Sequence, residues 1–220
     1  MQRSPVNQPD PALTWRDGTV PVSTRFDDPY YSLENGLEET RHVFLTGNDL
    51  PARFRDGFQI AELGFGTGLN FLAAAEAWRA SGIQGQLRFM SFELYPLTWA
   101  DAEKALSVFP SLLPMADACR ALWDRGQITC DWVEAQIVIG DARATLPEWS
   151  GRADAWFLDG FSPARNPELW EPKLLEAVAH NTAPGGSFAT YTAAGHVRRG
   201  LEDAGFAVER VPGFDGKACV

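Results

Sequence analysis

Cysteine is scarce. Cys119, Cys130 and Cys219 are the only three, and none stands in a CxxC spacing. An odd, scattered set argues against a disulfide framework and a thiolate zinc site, and it suits a reducing, cytoplasmic setting. Histidine is as rare: His42, His180 and His196 lack metal-ligand spacing, so no metal is expected. No apolar run is long enough to span a bilayer. The opening MQRSPVNQPDPALTW has no apolar segment behind Arg3, so no secretory leader is expected. Neither a Gly-x-Ser-x-Gly elbow nor a Gly-Lys-Ser/Thr phosphate loop occurs. Positive charge is in deficit too: 19 Lys and Arg face 29 Asp and Glu, a net charge of -10. That balance works against non-specific binding of polyanions and, taken alone, against a nucleic-acid partner.

What remains is enough for one sizeable core. The chain has 220 residues, 45% of them hydrophobic, and one domain is the default. Residues 1–20 carry Pro5, Pro9 and Pro11 with few aliphatics, which predicts a loose N-terminal arm before a domain over 21–220. A helix is expected from Asn35 or Gly36, with Val43, Phe44 and Leu45 as its buried end. Strands and helices then alternate. FQIAEL, LRFMSFEL, WVEAQIVIGDA and ADAWFLDG read as strands, and so do SFATYT after a Pro-Gly-Gly turn and FAVERVPGF. LNFLAAAEAWRA, TWADAEKALSVF, SLLPMADACRALWDRG, PELWEPKLLEAVAHNT and AGHVRRGLEDAG read as helices, with Pro172 either starting or breaking its helix. This alternation predicts an α/β fold: a Rossmann-like, mostly parallel sheet with helices on both faces. Such sheets bind ligands at the carboxyl ends of their strands. The eight tryptophans fit core and interface better than base-stacking platforms.

Four successive strand ends carry groups suited to one ligand. The first ends in Gly64-Phe65-Gly66-Thr67-Gly68. A dinucleotide fingerprint needs glycine at 64, 66 and 69, but position 69 is leucine, so the turn suits a nucleoside without a pyrophosphate. Glu93 ends the second strand, where a carboxylate can accept hydrogen bonds from both ribose hydroxyls. Asp141-Ala142 ends the third, where an acid can accept from the exocyclic amine of adenine. Asp159 ends the fourth, followed by Gly160-Phe161-Ser162-Pro163. Each acid alone is explained by a turn or a solvated strand end; four in succession point to S-adenosylmethionine and a class I methyltransferase. The Asp159 loop is similar to the Asp/Asn-Pro-Pro-Tyr/Phe loop of amino-directed methyltransferases, with Gly160 and Ser162 as departures. An acceptor there can orient an amine and relay its proton, while an aromatic ring packs beside it.

The stretches GTVPVSTRFDDPYYSLENGLEETRHVFL, ELGFGTGLNFL, LRFMSFELYPLT, DAWFLDGFSPARNPELW and GGSFATYTAAGHVRRGLEDAGFAVERVPGF resemble the methyltransferase domain of the bacterial tRNA 5-methylaminomethyl-2-thiouridine biosynthesis proteins. The resemblance runs from about residue 18 to 216 and is weakest near 100–135. It implies methylation of the primary amine of 5-aminomethyl-2-thiouridine at the tRNA wobble position, with S-adenosylmethionine as cofactor. It also implies that Gly64, Gly66, Gly68, Asn70, Glu93, Asp141 and Ala142 hold the cofactor and that Asp159 and Phe161 form the amine site. Tyr31 and Glu39 are pocket candidates, with helix cap and core contact as the alternative, and Asn166 joins the substrate side. Arg165, Lys173, Arg198 and Arg199 are either phosphate contacts or ordinary solvated charge. Bifunctional members of the family continue into an FAD-dependent oxidoreductase domain. This chain stops at Val220 without a second glycine fingerprint, so a stand-alone or a shortened form is expected. A missing domain of that kind could also supply positive surface. The family's basic ending is replaced by GFDGKACV, with Lys217 alone, which weakens tRNA binding or removes a strand contact. The competing readings are a methyltransferase of a small-molecule amine and a non-catalytic partner module of a tRNA-modifying oxidoreductase.

Overall fold

The computed structural model describes residues 10–32, 35–214 and 218–219. A six-stranded sheet organises it. β4 (Gln59–Leu63) and β5 (Leu87–Glu93) lie at its centre beside β7 (Val133–Ile139), β8 (Ala153–Leu158) and β9 (Thr182–Ala189). The order is β6-β7-β5-β4-β8-β9, where the short β6 (Gln127–Thr129) runs antiparallel to β7 and the other five strands are parallel. The chain starts this sheet at β4, adds strands on one side, then crosses to the other. The point of reversal therefore lies between β4 and β8, where open α/β sheets form their ligand crevice. Register makes the strands end at one level: Leu63 pairs with both Phe92 and Leu158, and Glu93 pairs with Ile139.

Both sheet faces are covered, because alternate residues of a strand point to opposite sides. Ile60, Phe89 and Phe157 pack with Leu72, Ala116 and Leu122, from α2 (Leu69–Ser81), α4 (Leu113–Ala118) and α5 (Ala121–Arg125). On the other face Ala61, Phe92 and Trp156 pack with Ala142, Leu175 and Leu201, from α6 (Ala142–Thr145), α7 (Pro172–His180) and α8 (Gly195–Asp203). α2 is rich in alanine and leucine, strong helix formers, and it stops at Gly82, whose φ of 71° is left-handed. α3 (Trp99–Leu106) is capped by the Thr98 hydroxyl, which accepts from the Asp101 N–H. The expected helix before the sheet is α1 (Gly36–Thr40), continued by a π-helical turn over Arg41–Leu45 that buries Val43, Phe44 and Leu45.

The structure departs from expectation in four places. The arm expected over 1–20 contains a strand, β1 (Leu13–Arg16), paired antiparallel with β2 (Val20–Ser23), which pairs in turn with β3 (Asp28–Pro29). Leu13 and Trp15 alternate with more exposed neighbours, a period-two pattern overshadowed by nearby prolines. Residues 1–9 and Lys217 lie outside the described residues. The helix expected over 111–126 is two, α4 and α5, broken at Cys119 and Arg120. Pro172 starts α7, one of its two expected places, where a missing N–H costs nothing, but the stretch before it, expected as part of the same helix, is a separate 3₁₀ turn over Pro167–Trp170. The last strand does not join the main sheet: Val211–Pro212 (β10) pairs with Ala218–Cys219 (β11). Pro212 has no N–H to give a sheet ladder.

Candidate active site

The aligned strand ends leave a cavity of about 570 Å³ above the sheet. One wall is the turn after β4. Gly64 and Gly66 have left-handed φ of 88° and 53°. A Cβ at Gly64 would lie 2.1 Å from the Asp159 carbonyl oxygen, so only glycine lets the two strand ends approach. Gly68, with φ 81°, starts α2 beside Trp123.

Glu93 braces this turn from below. Its Oε2 accepts from Gly66 N at 3.0 Å and its Oε1 from Tyr95 N at 2.7 Å. Burial pushes its pKa up, while the backbone N–H groups of Gly66, Tyr95, Phe65 and Leu94 pull it back. Asp141 caps α6 by accepting from Arg143 N at 2.9 Å, and it pairs with the Arg143 guanidinium at 2.7 Å. Hydrogen bonding to Arg143 is the main cause of its lowered pKa. Glu93, Asp141 and Ala142 all line the cavity beside Gly64 and Gly66.

Asp159 faces them from β8. Its backbone N–H donates to Leu63 O at 3.1 Å, and its Oδ2 accepts from Asn70 Nδ2 at 2.5 Å. Its carboxyl is pushed up to about 7, chiefly by burial and then by the charges of Glu39 and Glu93, with the Asn70 hydrogen bond opposing. Asn70 is only 4% exposed. Both its N–H groups go to protein acids, Asp159 and Glu62, and its carbonyl accepts from the Thr40 hydroxyl at 3.1 Å. It touches the cavity edge but acts mainly as an internal tie.

The loop behind Asp159 is held by the N-terminal sheet. Asp28 Oδ2 accepts from Ser162 N at 2.9 Å, and Arg165 pairs with Asp27. Phe161 stacks on Phe26 with centroids 4.8 Å apart and meets the edge of Tyr30 at 5.0 Å. The Trp170 indole donates to Phe161 O, and the Tyr191 hydroxyl donates to Gly160 O. Burial, with the charge of Glu93 next, raises the Tyr30 phenol. Burial also raises Tyr191, followed by the charges of Asp159, Asp28 and Glu39. An acidic, aromatic chamber results, lined by Phe26, Tyr30, Phe161, Tyr191, Glu39 and Asp159.

Tyr31, Glu39 and Asn166 line the cavity. Tyr31 is also a core contact: its hydroxyl donates to Ala105 O at 2.7 Å and its ring packs on Phe109. Arg165, Lys173, Arg198 and Arg199 do not line it. Arg165 is neutralised by Asp27, and Arg198 pairs with Glu202 on its own helix at 2.7 Å. The cation at the mouth is one sequence reasoning missed. Exposed Arg25 lies 4.7 Å from the Tyr95 ring centroid and makes no ion pair among the described residues. Phe26, Asp28, Tyr30, Tyr191 and Glu62 were missed as well. Their signal was available in FDDPYY, SFATYT and the acid of ELGFGTG, but only folding brings these stretches together.

Residues 114–220 match the model of a family described as S-adenosyl-L-methionine-dependent methyltransferase. Similar relatives are tRNA 5-methylaminomethyl-2-thiouridine biosynthesis bifunctional proteins MnmC. That of Chromobacterium violaceum is 45% identical and that of a Caulobacter species 46%, each over 93% of this chain but only 33% and 37% of the relative. The chain thus spans about a third of the curated relatives it matches. The crystal structure of MnmC2 from Aquifex aeolicus superposes with a TM-score of 0.78 at 24% identity, covering 96% of this chain and 67% of that one. This likeness establishes the fold. No described helix is long and apolar enough to cross a membrane.

Proposed function

From a chain that has the class I S-adenosylmethionine-dependent methyltransferase fold and is related along 93% of its length to the bifunctional tRNA 5-methylaminomethyl-2-thiouridine biosynthesis proteins, we propose an N-methyltransferase. It converts 5-aminomethyl-2-thiouridine of the tRNA wobble position into 5-methylaminomethyl-2-thiouridine. The carrying observation is Asp159: a carboxylate with a near-neutral pKa, beside the glycine turn and under an aromatic wall.

Gly64, Gly66, Glu93, Asp141 and Ala142 would hold S-adenosylmethionine, with Asn70 supporting the pocket floor; Gly68, expected among them, does not line the cavity and instead lets α2 start against Trp123 and Phe65. The bare backbone of the glycine turn and the acid at the next strand end fit a nucleoside of this kind. When bound, it supplies an electrophilic methyl on a positively charged sulfur.

The chain's own residues prepare the amine. An alkyl amine is mostly ammonium at neutral pH, with a pKa of roughly 10.4 for the lysine type. It cannot attack until a proton leaves. Asp159 Oδ2 is held by Asn70, so Oδ1 takes the proton and keeps the lone pair aligned. A base with a pKa near the working pH is matched to that task. Glu39 adds negative charge that favours entry of the cation. Phe26, Tyr30 and Phe161 exclude water and offer ring faces to the ammonium. What remains is alignment for in-line transfer.

At the rim, Arg25 would meet backbone phosphate, with Arg165, Arg198 and Arg199 further out. Phosphate contacts are local, so a net charge of -10 does not forbid RNA binding. The pairing of Arg165 and Arg198 with acids favours a second reading, a small-molecule amine as substrate. Labelled cofactor with tRNA bearing aminomethyl-thiouridine, the free nucleoside and simple alkyl amines separates the two. Label in the tRNA at the wobble base is expected. Label only in small amines would replace the leading reading with the second.

A further inference from the structure

One buried acid takes no part in the reaction as derived. Glu62, the penultimate residue of β4, has 0% exposure and lines no part of the cavity. Both its oxygens are used. Oε2 accepts from the Ser91 hydroxyl at 2.7 Å, across the register pair of β4 and β5. Oε1 accepts from Asn70 Nδ2 at 3.0 Å. The same amide nitrogen donates to Asp159 Oδ2 at 2.5 Å, and Asn70 Oδ1 accepts from Thr40. Three partners leave the Asn70 amide one orientation, since a flipped amide would set its oxygen against the Asp159 carboxylate.

We propose that Glu62 is a positioning residue for Asp159: it fixes the Asn70 amide, and the amide fixes the carboxylate that faces the amine. The role of that carboxylate rests on the function proposed above; the orientation of the amide does not. Burial, reinforced by the charges of Asp159 and Glu93, raises the pKa of Glu62 well above the carboxylate range. Both its oxygens are satisfied inside the protein, so it holds Asn70 from behind without reaching the cavity itself. The remaining groups facing Asp159 are Glu39 on α1, Glu93 on β5 and Tyr191 after β9. Burial, Glu39 and Glu93 push the Asp159 pKa up, and only the Asn70 hydrogen bond pulls it down. Losing the Asn70 orientation must then raise it further.

The test is the titration of the ¹³C-labelled Asp159 carboxyl by NMR, on protein without cofactor or amine. Glu62→Gln keeps a carbonyl for Asn70 and should leave the midpoint where it is. Glu62→Leu keeps the bulk, removes the acceptor and should move the midpoint up by about half to one pH unit, the worth of one hydrogen bond. In turnover, Glu62→Leu should lower kcat about tenfold with KM for cofactor and amine unchanged. Glu62→Gln should restore it, and Glu62→Leu should add nothing in an Asn70→Ala background. An unmoved midpoint in Glu62→Leu, equal damage from Gln and Leu, or additivity with Asn70→Ala would each overturn the proposal. If the Leu variant does not fold, Ser91→Ala, which frees Glu62 Oε2, must move the midpoint the same way; a wild-type midpoint there refutes it. A protein that methylates no amine but shows these shifts would overturn the proposed function and leave the positioning intact.

Discussion

Replacing Asp159 with asparagine should abolish methyl transfer and make the protein more stable. In the folded chain the carboxyl titrates at about 7 instead of 3.8, with burial as the main cause. The unfolded chain binds fewer protons than the native one between these values, so Asp159 lowers stability as pH rises through that window. Below about pH 3.8 the group is protonated in both states and contributes no penalty. Above about pH 7 the whole penalty is present. About three units at 1.36 kcal/mol each give an upper value of roughly 4 kcal/mol. The carboxylate faces a cavity open to solvent, which reduces this to about 2 kcal/mol. Asparagine is isosteric, and its carbonyl can still accept from Asn70. For a chain of this size, about 2 kcal/mol raises Tm by roughly 4–8 °C. Thermal or urea unfolding at pH 4.5, 6 and 8 should show the gain growing with pH, alongside activity near background. A variant equally stable at pH 8, or one whose gain is largest at pH 4.5, would refute the burial argument. Retained turnover would refute the proton-acceptor role.

Four further outcomes are expected. Wild-type kcat/KM should fall as pH drops below about 7, following protonation of Asp159; a limb near pH 4 would mean that the carboxyl is not raised in the working enzyme. Gly64→Ala should cost about 3 kcal/mol or more, because it combines a left-handed φ with a 2.1 Å clash on Asp159 O; an unchanged Tm would show that the two strand ends are not in contact. Glu93→Ala should weaken cofactor binding at least about tenfold by calorimetry, since it removes both the candidate ribose acceptor and the brace on Gly66; unchanged affinity would remove Glu93 from the cofactor site. Arg25→Ala should raise KM for tRNA and flatten its salt dependence by about one charge, with KM for the nucleoside unchanged. An identical salt slope would make Arg25 ordinary solvated surface.

Much of this site was legible before folding because its signals are local. The glycines at 64, 66 and 68, and the acids at 93, 141 and 159, each close an apolar run. Strand-end position alone sends such residues to one rim of a parallel sheet. The strand Leu13–Arg16 was hidden by the prolines before it, although its period-two pattern was present. The roles of Arg165 and Arg198 could not be judged from sequence, because their partners, Asp27 and Glu202, are a matter of contact.

The sequence by itself determined the alternating α/β architecture and set a glycine turn and three acids at successive strand ends, since periodicity and strand ends are written in consecutive residues. Only the tertiary structure decided which charges survive at the rim and which acids burial pushes up. It set Ser91, Glu62, Asn70 and Asp159 in one hydrogen-bonded line, and it laid Phe26 and Tyr30 over a loop more than 130 positions away. Burial and register fix hydrogen-bond partners and pKa values, and neither exists until the strands lie side by side.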